Sequence, residues 1–277
     1  MSRRLRVGRR LGLHALLMLG VVVSLFPFYW TIVMATNTTE DIYRYPPKLT
    51  FGSHLLVNIR QVFDSIQFLG SLLNSLLVAS VATVLVLFVD SLAAFTFAKY
   101  RFPGRDLIFG VLLGLYLLPT QMALIPQFIL MVDIGWVGSL KPLVLPSLAN
   151  AFGIFWMRQY SLQAVPDELV EASRLDGCGF LRQYWHVGLP TIRPGLAFLG
   201  IYTFISVWND YVWPLVVLVN PDRLTLQVAL AQLNTTHITN YSVVMAGALL
   251  AVLPLVLVFT LFARHFIADA TKGAVRG

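Results

Sequence analysis

Six apolar runs dominate the sequence, each near the length that crosses a lipid bilayer. They cover residues 11–35, 72–98, 107–131, 143–160, 196–219 and 243–266. A helix needs ~20 mainly apolar residues to cross a hydrocarbon core of ~30 Å. With 57% hydrophobic and only 12% charged residues, the chain does not fit a soluble globular domain. The runs therefore predict an all-α integral membrane protein with six transmembrane helices in one domain, residues 11–266.

The flanks of this domain are short. Residues 1–10 form a basic tail, and residues 267–277 form a second tail at the other end. The basic start and the apolar run after it look like a signal peptide, but that run is too long and no small-residue cleavage site follows. We therefore expect an uncleaved first span. Residues 37–70 form a polar external segment, and its later part, 55–68, favours a helix along the membrane surface.

The distribution of basic residues predicts the orientation. If the first tail is cytoplasmic, fifteen of the twenty lysines and arginines lie on the cytoplasmic side and five on the other. Cytoplasmic loops of membrane proteins carry an excess of these residues. Both termini and the loop 166–190 are thus predicted to be cytoplasmic.

Composition also excludes several kinds of site. The net charge of +7 could indicate nucleic acid binding, but the basic residues lie beside the ends of the apolar runs. Cys178 is the single cysteine, so an internal disulfide and a cysteine-based metal cluster are excluded. The five histidines are scattered without ligand spacing, so we expect no metal. No phosphate-binding loop of the G-x-x-x-x-G-K-[ST] type occurs. Any ATP hydrolysis that this protein depends on would have to come from another chain.

The loop 166–190 is the longest polar interruption in the second half of the chain. Pro166 and the acidic residues after it suit the first turn of a helix. Leu169, Ala172 and Leu175 recur at helical spacing and give one narrow apolar face. Gly177 should stop this helix, and a second helical run over 180–187 should end at Gly188 and Pro190. The pattern predicts a short helix, a glycine turn and a second helix, suited to docking in a groove of a partner.

These residues resemble the EAA loop of ABC-importer permeases. The resemblance is carried by Glu171, Ala172, Ser173, Asp176, Gly177, Leu189 and Pro190. It implies the type I importer permease fold, with a coupling helix between spans 4 and 5 that docks on the ATPase subunit. Ser173 departs from the usual second alanine, and Cys178 stands where alanine is common, but both residues are small. The alternative is an ordinary amphipathic cytoplasmic loop.

Further segments resemble the carbohydrate-uptake branch of this family, in particular the six-span partner of the maltose-type permease pair. They are residues 93–104, 118–126, 208–214, 224–226 and 272–277. The resemblance implies a bacterial inner-membrane protein that forms a heterodimer with an unlike permease. It also implies two ATPase subunits, which bind the ATP and magnesium, and an external binding protein that delivers a sugar or oligosaccharide. This chain would be non-catalytic and would bind no cofactor itself.

Three polar residues within the predicted spans are candidates for a functional role. Asn209 and Asp210 lie near the middle of the fifth span, and Asp90 lies in the inner half of the second. A charged group in lipid is expensive, so each should face protein or a water-filled path. Asn209 and Asp210 could contact the pathway or hold helices together, and the second interpretation is slightly favoured. For Asp90, helix packing is favoured over a transport role.

Two rival functions remain open. A polyol or glycerol-phosphate importer would use a very similar permease. An ion-driven secondary carrier is the alternative from another class, but an inverted repeat and paired broken helices are missing from the sequence. An intramembrane enzyme is disfavoured further, because the predicted spans contain no His/Glu or Ser/Lys constellation.

Overall fold

The computed structural model describes residues 3–234 and 240–274, with side chains for residues 12–234 and 240–261. The outermost parts of both predicted tails, residues 1–2 and 275–277, lie outside the described residues. Within the described ranges every regular element is helical, which confirms the predicted all-α class.

Fifteen α-helices follow one another in the described part of the chain, with three 3₁₀ helices and one π-helical turn between them. The α-helices are α1 (Arg3–Thr36), α2 (Thr39–Tyr43), α3 (Leu55–Ser65), α4 (Phe68–Lys99), α5 (Arg105–Tyr116), α6 (Leu124–Asp133), α7 (Lys141–Val144), α8 (Ala151–Ala164), α9 (Asp167–Leu175), α10 (Phe180–Gln183), α11 (Leu189–Thr191), α12 (Arg193–Trp208), α13 (Val212–Val217), α14 (Leu226–Gln232) and α15 (Tyr241–Ala274). The turns are 3₁₀ helices at Thr120–Ala123, Leu145–Ser147 and Pro221–Arg223, and a π-helical turn at Tyr184–Gly188.

Three described helices are long and apolar enough to cross a bilayer. They are Gly12–Thr36 within α1, Phe68–Lys99, and Tyr241–Leu261 within α15. The stretch from Arg105 to Asp133 gives a fourth if its two halves, bent by 93° at a break, count as one span. These helices correspond to the predicted first, second, third and sixth spans.

The predicted fourth and fifth spans differ from continuous helices. Residues 143–160 contain the end of α7, a 3₁₀ turn and most of the 14-residue α8. Residues 196–219 contain most of the 16-residue α12, a break at residues 209–211 and the six-residue α13. Proline cannot donate a backbone hydrogen bond and disfavours helix in the residue before it, so Pro119 and Pro146 interrupt stretches that are apolar enough to span. The number of spans stays a prediction.

The described chain divides into two compact units. The first comprises residues 1–68 and 230–253. In it, the amide of buried Asn58 on α3 donates to the carbonyl oxygens of Ala35, at 2.8 Å, and Asn37, at 3.0 Å. The Thr39 hydroxyl donates to Asn240 Oδ1 at 2.6 Å. The helix predicted over 55–68 is confirmed over Leu55–Ser65, and hydrogen bonds fasten it to the end of α1.

The second unit comprises residues 69–229 and 254–277. Helices α5, α8 and α12 pack side by side in it. Aromatic side chains fill the contacts: Phe109 lies 6.4 Å from Phe155, and Trp156 lies 4.4 Å from Phe198. All seven residues predicted for ATPase coupling and the three polar span residues belong to this unit.

Candidate functional site

Helix α9 is the helix predicted within the loop 166–190, and local sequence sets its start. Pro166 precedes it in an extended conformation, with φ −63° and ψ 137°. Asp167 and Glu168 occupy the first turn, where the exposed backbone N–H groups favour negative charge. The prediction of a helix beginning here is confirmed.

Gly177 ends α9 as the sequence predicts. Its φ is +77°, a conformation that glycine adopts without steric cost. The Gly177 N–H donates to the Arg174 carbonyl oxygen at 3.0 Å, and the Cys178 N–H donates to the Ser173 carbonyl oxygen at 2.9 Å. This pair of bonds is the Schellman arrangement, which satisfies carbonyl groups at the end of a helix. The turn is therefore closed by its own backbone.

The second helical run differs from the prediction that it ends at Gly188 and Pro190. Helix α10 passes through the π-helical turn Tyr184–Gly188 into α11, and α12 follows after a single residue. Pro190 is the second residue of α11. Gly188 serves packing, because a Cβ there would lie 2.8 Å from the Phe95 ring. The loop therefore runs almost without interruption into α12.

Helix α9 has one buried and one exposed face. Val170 and Ser173 are buried against the rest of the unit, and the Ser173 hydroxyl donates to the Val170 carbonyl oxygen at 2.7 Å. The predicted apolar face is exposed instead: Leu169 is 50% exposed and Leu175 90%. Large apolar side chains at such exposure, outside the predicted spans, form a surface suited to a partner.

An aromatic cluster anchors the loop to the end of α4. The Phe95 ring lies 5.9 Å from Tyr184 and 6.4 Å from Phe180, and Tyr100 lies 5.1 Å from Phe180. Phe95 and Tyr184 are almost fully buried, in a core that also contains Val170 of α9. Helix α9 and helix α4 thus share one hydrophobic core, which favours their motion as one body.

Four polar side chains at this core form hydrogen bonds with one another in two pairs. The Tyr100 hydroxyl donates to Gln183 Oε1, and Gln183 Nε2 donates to the Cys178 carbonyl oxygen at 3.0 Å. The hydroxyls of Ser91 and Tyr184 share a hydrogen bond of 2.7 Å. Gln183 therefore ties the turn that follows α9 to the end of α4, and Ser91 ties α4 to the π-helical turn.

Charged groups close the same contact at the surface. Lys99 Nζ lies 2.7 Å from Asp167 Oδ1, and the guanidinium of Arg174 stacks 4.9 Å from the centre of the Tyr100 ring. The Lys99 side chain is only 3% exposed, whereas that of Asp167 is 77% exposed. The hydrogen bond and charge of Lys99 lower the pKa of the Asp167 carboxyl. The first turn of α9 is thus held to the last turn of α4.

The seven residues predicted for ATPase coupling do not all lie on one exposed surface. Four of them, Glu171, Ala172, Asp176 and Gly177, are exposed on α9 and the turn after it. Ser173 faces the core, and Leu189 packs against it. Pro190 is exposed on α11. Only part of the set can contact a partner directly, and Ser173 and Leu189 hold the others in place.

A second feature of this unit is a cavity of about 480 Å³. It lies where three predicted spans are interrupted, and its walls include Gln121, Ser147, Asn150 and Asp210. Within a bilayer, non-helical backbone is tolerated where it is buried in protein or lines a water-filled cavity. The three interruptions thus expose polar groups to one common space.

The three polar span residues occupy different surroundings. Asp210 lines the cavity. Asn209 is exposed, and its amide donates to the Ile205 carbonyl oxygen of its own helix at 2.9 Å. Asp90 is fully buried, and its Oδ1 accepts a hydrogen bond from the Asn150 backbone N–H at 3.0 Å. Asp90 thus joins α4 to the start of α8, while its Oδ2 has no hydrogen-bond partner among the described residues.

Sequence reasoning missed the groups that hold the coupling helix in place. Lys99, Tyr100 and Gln183 were not singled out, because their partners lie about 70 to 80 residues away. It also missed the cavity. The prolines at 119 and 146 were a usable signal, since each stands inside an apolar run predicted to be a continuous helix.

Comparison with known proteins agrees with this arrangement. Residues 59–272 match the family described as "Binding-protein-dependent transport system inner membrane component". The chain is 35% identical to the lactose transport system permease protein LacG of Rhizobium radiobacter, over 92% of each chain. It is 31% identical to the arabinooligosaccharides transport system permease protein AraQ of Halalkalibacterium halodurans, again over 92% of each. It is also 34% identical to the sn-glycerol-3-phosphate transport system permease protein UgpE of Escherichia coli O1:K1 / APEC, over 92% of this chain and 93% of that protein.

The fold is likewise shared with a solved structure. A chain in the crystal structure of a bacterial ABC transporter that imports the acidic polysaccharide alginate superposes with a TM-score of 0.80. The match covers 96% of this chain and 99% of that one, at 23% sequence identity. This confirms the predicted importer permease fold.

Proposed function

The chain belongs to the family of binding-protein-dependent transport system inner membrane components, and on that premise we propose how it works within an ABC importer. It is a transport permease subunit. With a second, unlike permease it forms the translocation pathway. Two ATPase subunits bind ATP and magnesium and supply the energy, and an external binding protein delivers the solute. This chain binds no nucleotide or other cofactor.

The exposed face of α9 is the observation that carries the coupling role. Leu169, Ala172 and Leu175 form an exposed apolar row, and Glu171 places a carboxylate beside it. A short amphipathic helix of this kind binds by laying its apolar face in a groove. Because α9 shares a core with α4, a movement of the ATPase would be passed to α4 directly.

The location follows from the charge distribution. The coupling helix has to face the cytoplasm, where ATP is available, and the excess of lysine and arginine favours the same side. We therefore place the protein in the bacterial inner membrane with six spans and both termini in the cytoplasm.

The solute is a sugar or oligosaccharide. Two of the relatives above are named for lactose and for arabinooligosaccharides, which supports this class. A third is named for sn-glycerol 3-phosphate, so a polyol or glycerol-phosphate importer is the alternative.

Reconstitution with a matched pair of variants tests the coupling role. The complete complex with its binding protein should import solute with ATP, and Ala172→Trp should insert in the membrane yet lose ATPase co-purification or solute-stimulated hydrolysis. Added bulk in a close-packed interface costs about 1–3 kcal/mol. Leu73→Trp, which adds the same ring at an exposed position near the start of α4, is the control. Uptake by this chain alone under an ion gradient would instead favour a secondary carrier.

A further inference from the structure

The cavity has the size and the construction of a small-molecule site. Its volume of about 480 Å³ lies within the ~300–1,000 Å³ typical of ligand pockets. Three interrupted helical stretches contribute to its wall: the 3₁₀ turn after α5, the segment between α7 and α8, and the break between α12 and α13. Apolar stretches in a membrane protein gain nothing from such breaks unless polar backbone is needed at that place.

The described lining of the cavity carries negative charge and no positive charge. Asp210 is the acidic residue among the described lining residues, and none of these residues is lysine, arginine or histidine. The backbone amides of Tyr211, Val212 and Trp213 lie beside its carboxylate. An ionised carboxylate at this wall repels an anion. A phosphate-bearing solute would meet this repulsion with no compensating cation.

The other polar groups of the lining are neutral. Side-chain amides come from Gln121 and Gln127, and hydroxyls come from Tyr202 and Ser206. Two more lining residues, Thr203 and Thr225, are about 95% buried, and their hydroxyl oxygens have no hydrogen-bond partner among the described residues. These two oxygens have almost no accessible surface, so the polar groups open to a ligand are the side-chain amides and the hydroxyls named first.

An aromatic side chain also lines the cavity. Trp213 lines the cavity, and its Nε1–H already donates to the Pro142 carbonyl oxygen at 3.0 Å, which fixes the orientation of the indole. What the indole offers a ligand is therefore ring surface, onto which the C–H face of a sugar ring can pack. Amides, hydroxyls, one carboxylate and an oriented ring suit a neutral ligand rich in hydroxyl groups.

We propose that this cavity is a solute contact site of this subunit itself, and that it takes a neutral polyhydroxylated solute such as a sugar unit and disfavours phosphate esters. Asp210 accepts hydrogen bonds from solute hydroxyls and supplies the charge that excludes anions. The proposal rests on the proposed transport function and extends it, because it selects between the sugar and glycerol-phosphate alternatives at a named site.

Charged thiol reagents test the site without knowledge of the solute. Ser206→Cys places a thiol in the cavity wall, and the unsubstituted chain, with Cys178 alone, gives the background. In the assembled complex the ratio of the rates for a cationic and an anionic methanethiosulfonate should exceed, by about tenfold, the ratio that the two reagents show with a free thiol in solution, since a cleft of one charge concentrates opposite ions. Asp210→Asn should bring the rate ratio back to that of the free thiol. Asp133→Asn, which removes an exposed acid outside the cavity lining, should preserve the raised ratio. A rate ratio equal to that of the free thiol, or no reaction with either reagent, would overturn the proposal.

Uptake measurements then separate this proposal from the transport function. The complete complex is given radiolabelled lactose, arabinotriose and sn-glycerol 3-phosphate. Import of a sugar that Asp210→Asn slows by about tenfold, while Asp133→Asn does not, supports the site. Import of the phosphate ester alone, or sugar import unchanged in Asp210→Asn, overturns it while the transport function stands. If none of the three is imported, the transport proposal loses support, and the reagent rates still decide the charge of the cavity.

Discussion

Two regions of the unit built from residues 69–229 interrupt their helices in opposite ways. At the coupling loop, the Gly177 turn is closed by its own backbone bonds, and Gln183 bonds at both ends of its amide. At the cavity, Thr203 and Thr225 leave their hydroxyls unpaired among the described residues. The first interruption is satisfied internally, and beside the second two buried hydroxyls stay unpaired.

On the proposed transport role, this difference separates a region that transmits movement from a region that binds and releases solute. A region that transmits force has to keep its shape, and internally paired polar groups in a tight core give that rigidity. A region that binds and releases solute needs groups whose bonds can be exchanged with water and ligand. On the roles proposed above, the exposed leucines of α9 would meet a partner on a rigid body, whereas groups of the cavity wall would exchange hydrogen bonds with water and solute.

The largest effect is expected where the closed turn is broken. Gly177→Val puts a β-branched residue at φ +77°, a strain of about 1–3 kcal/mol, and so should displace the chain after α9. Solute-stimulated ATP hydrolysis by the assembled complex should fall about tenfold or more. Gly179→Val is the control, because Gly179 has φ −70° and open space around its missing Cβ.

Membrane insertion and co-purification with the ATPase should be measured for both variants. Equal coupling in Gly177→Val and Gly179→Val would show that the closed turn is not needed, and the contrast between the two regions would lose its functional meaning.

The closed region was largely predictable from sequence. Helix α9 and its glycine stop follow from local signals: a proline, two acidic residues and a glycine within twelve positions. The direction of α9 was also implied, since Leu169, Ala172 and Leu175 form its outer row. The π-helical turn was not predictable, because it depends on the fit of Gly188 against Phe95, which lies 93 residues earlier in the chain.

The open region was predictable only as apolar runs. Hydropathy over 107–131, 143–160 and 196–219 does not reveal that each run is interrupted, because tertiary contacts decide whether a proline or a polar pair bends, breaks or merely kinks a helix. Asn209 and Asp210 are adjacent in sequence, yet one is exposed and the other lines a cavity. Their separation arises at the break after α12, which no periodic pattern marks.

An intermediate effect is expected at the link between the two regions. Asp90 and Ser91 are neighbours on α4: Ser91 bonds Tyr184 of the coupling loop, and Asp90 bonds the Asn150 backbone at the cavity wall. Asp90→Ala should leave that N–H unpaired, at a cost of about 1–3 kcal/mol. Asp90→Asn keeps an acceptor oxygen and should cost less. We expect Asp90→Ala to lower the thermal midpoint of the complex and the amount of solute imported per ATP.

Ser91→Ala provides the comparison for that ratio. It removes the hydrogen bond between Ser91 and Tyr184. The double variant Asp90→Ala/Ser91→Ala should therefore lower the amount of solute imported per ATP no further than the worse single variant. Fully additive losses would mean that the two regions do not communicate through residues 90 and 91.

The smallest effect is expected at the surface pair of the coupling region, and its dependence on pH identifies it. Lys99 lowers the pKa of Asp167 below its ordinary value of 3.8, so the pair stabilises the folded protein above that value and the contribution is lost as pH falls through the lower folded pKa. Asp167 is mostly exposed, so solvent screens the pair and the gain is modest. At pH 7, Asp167→Asn should lower the thermal midpoint of the purified complex slightly, because Lys99 loses its partner. The difference from wild type should shrink below about pH 4, where the wild-type carboxyl also becomes neutral. Glu168→Gln, the next exposed acid in the same turn, should not reproduce this pH dependence. A gap between wild type and Asp167→Asn that persists unchanged at low pH would mean that Asp167 stabilises the coupling region by something other than its charge on Lys99.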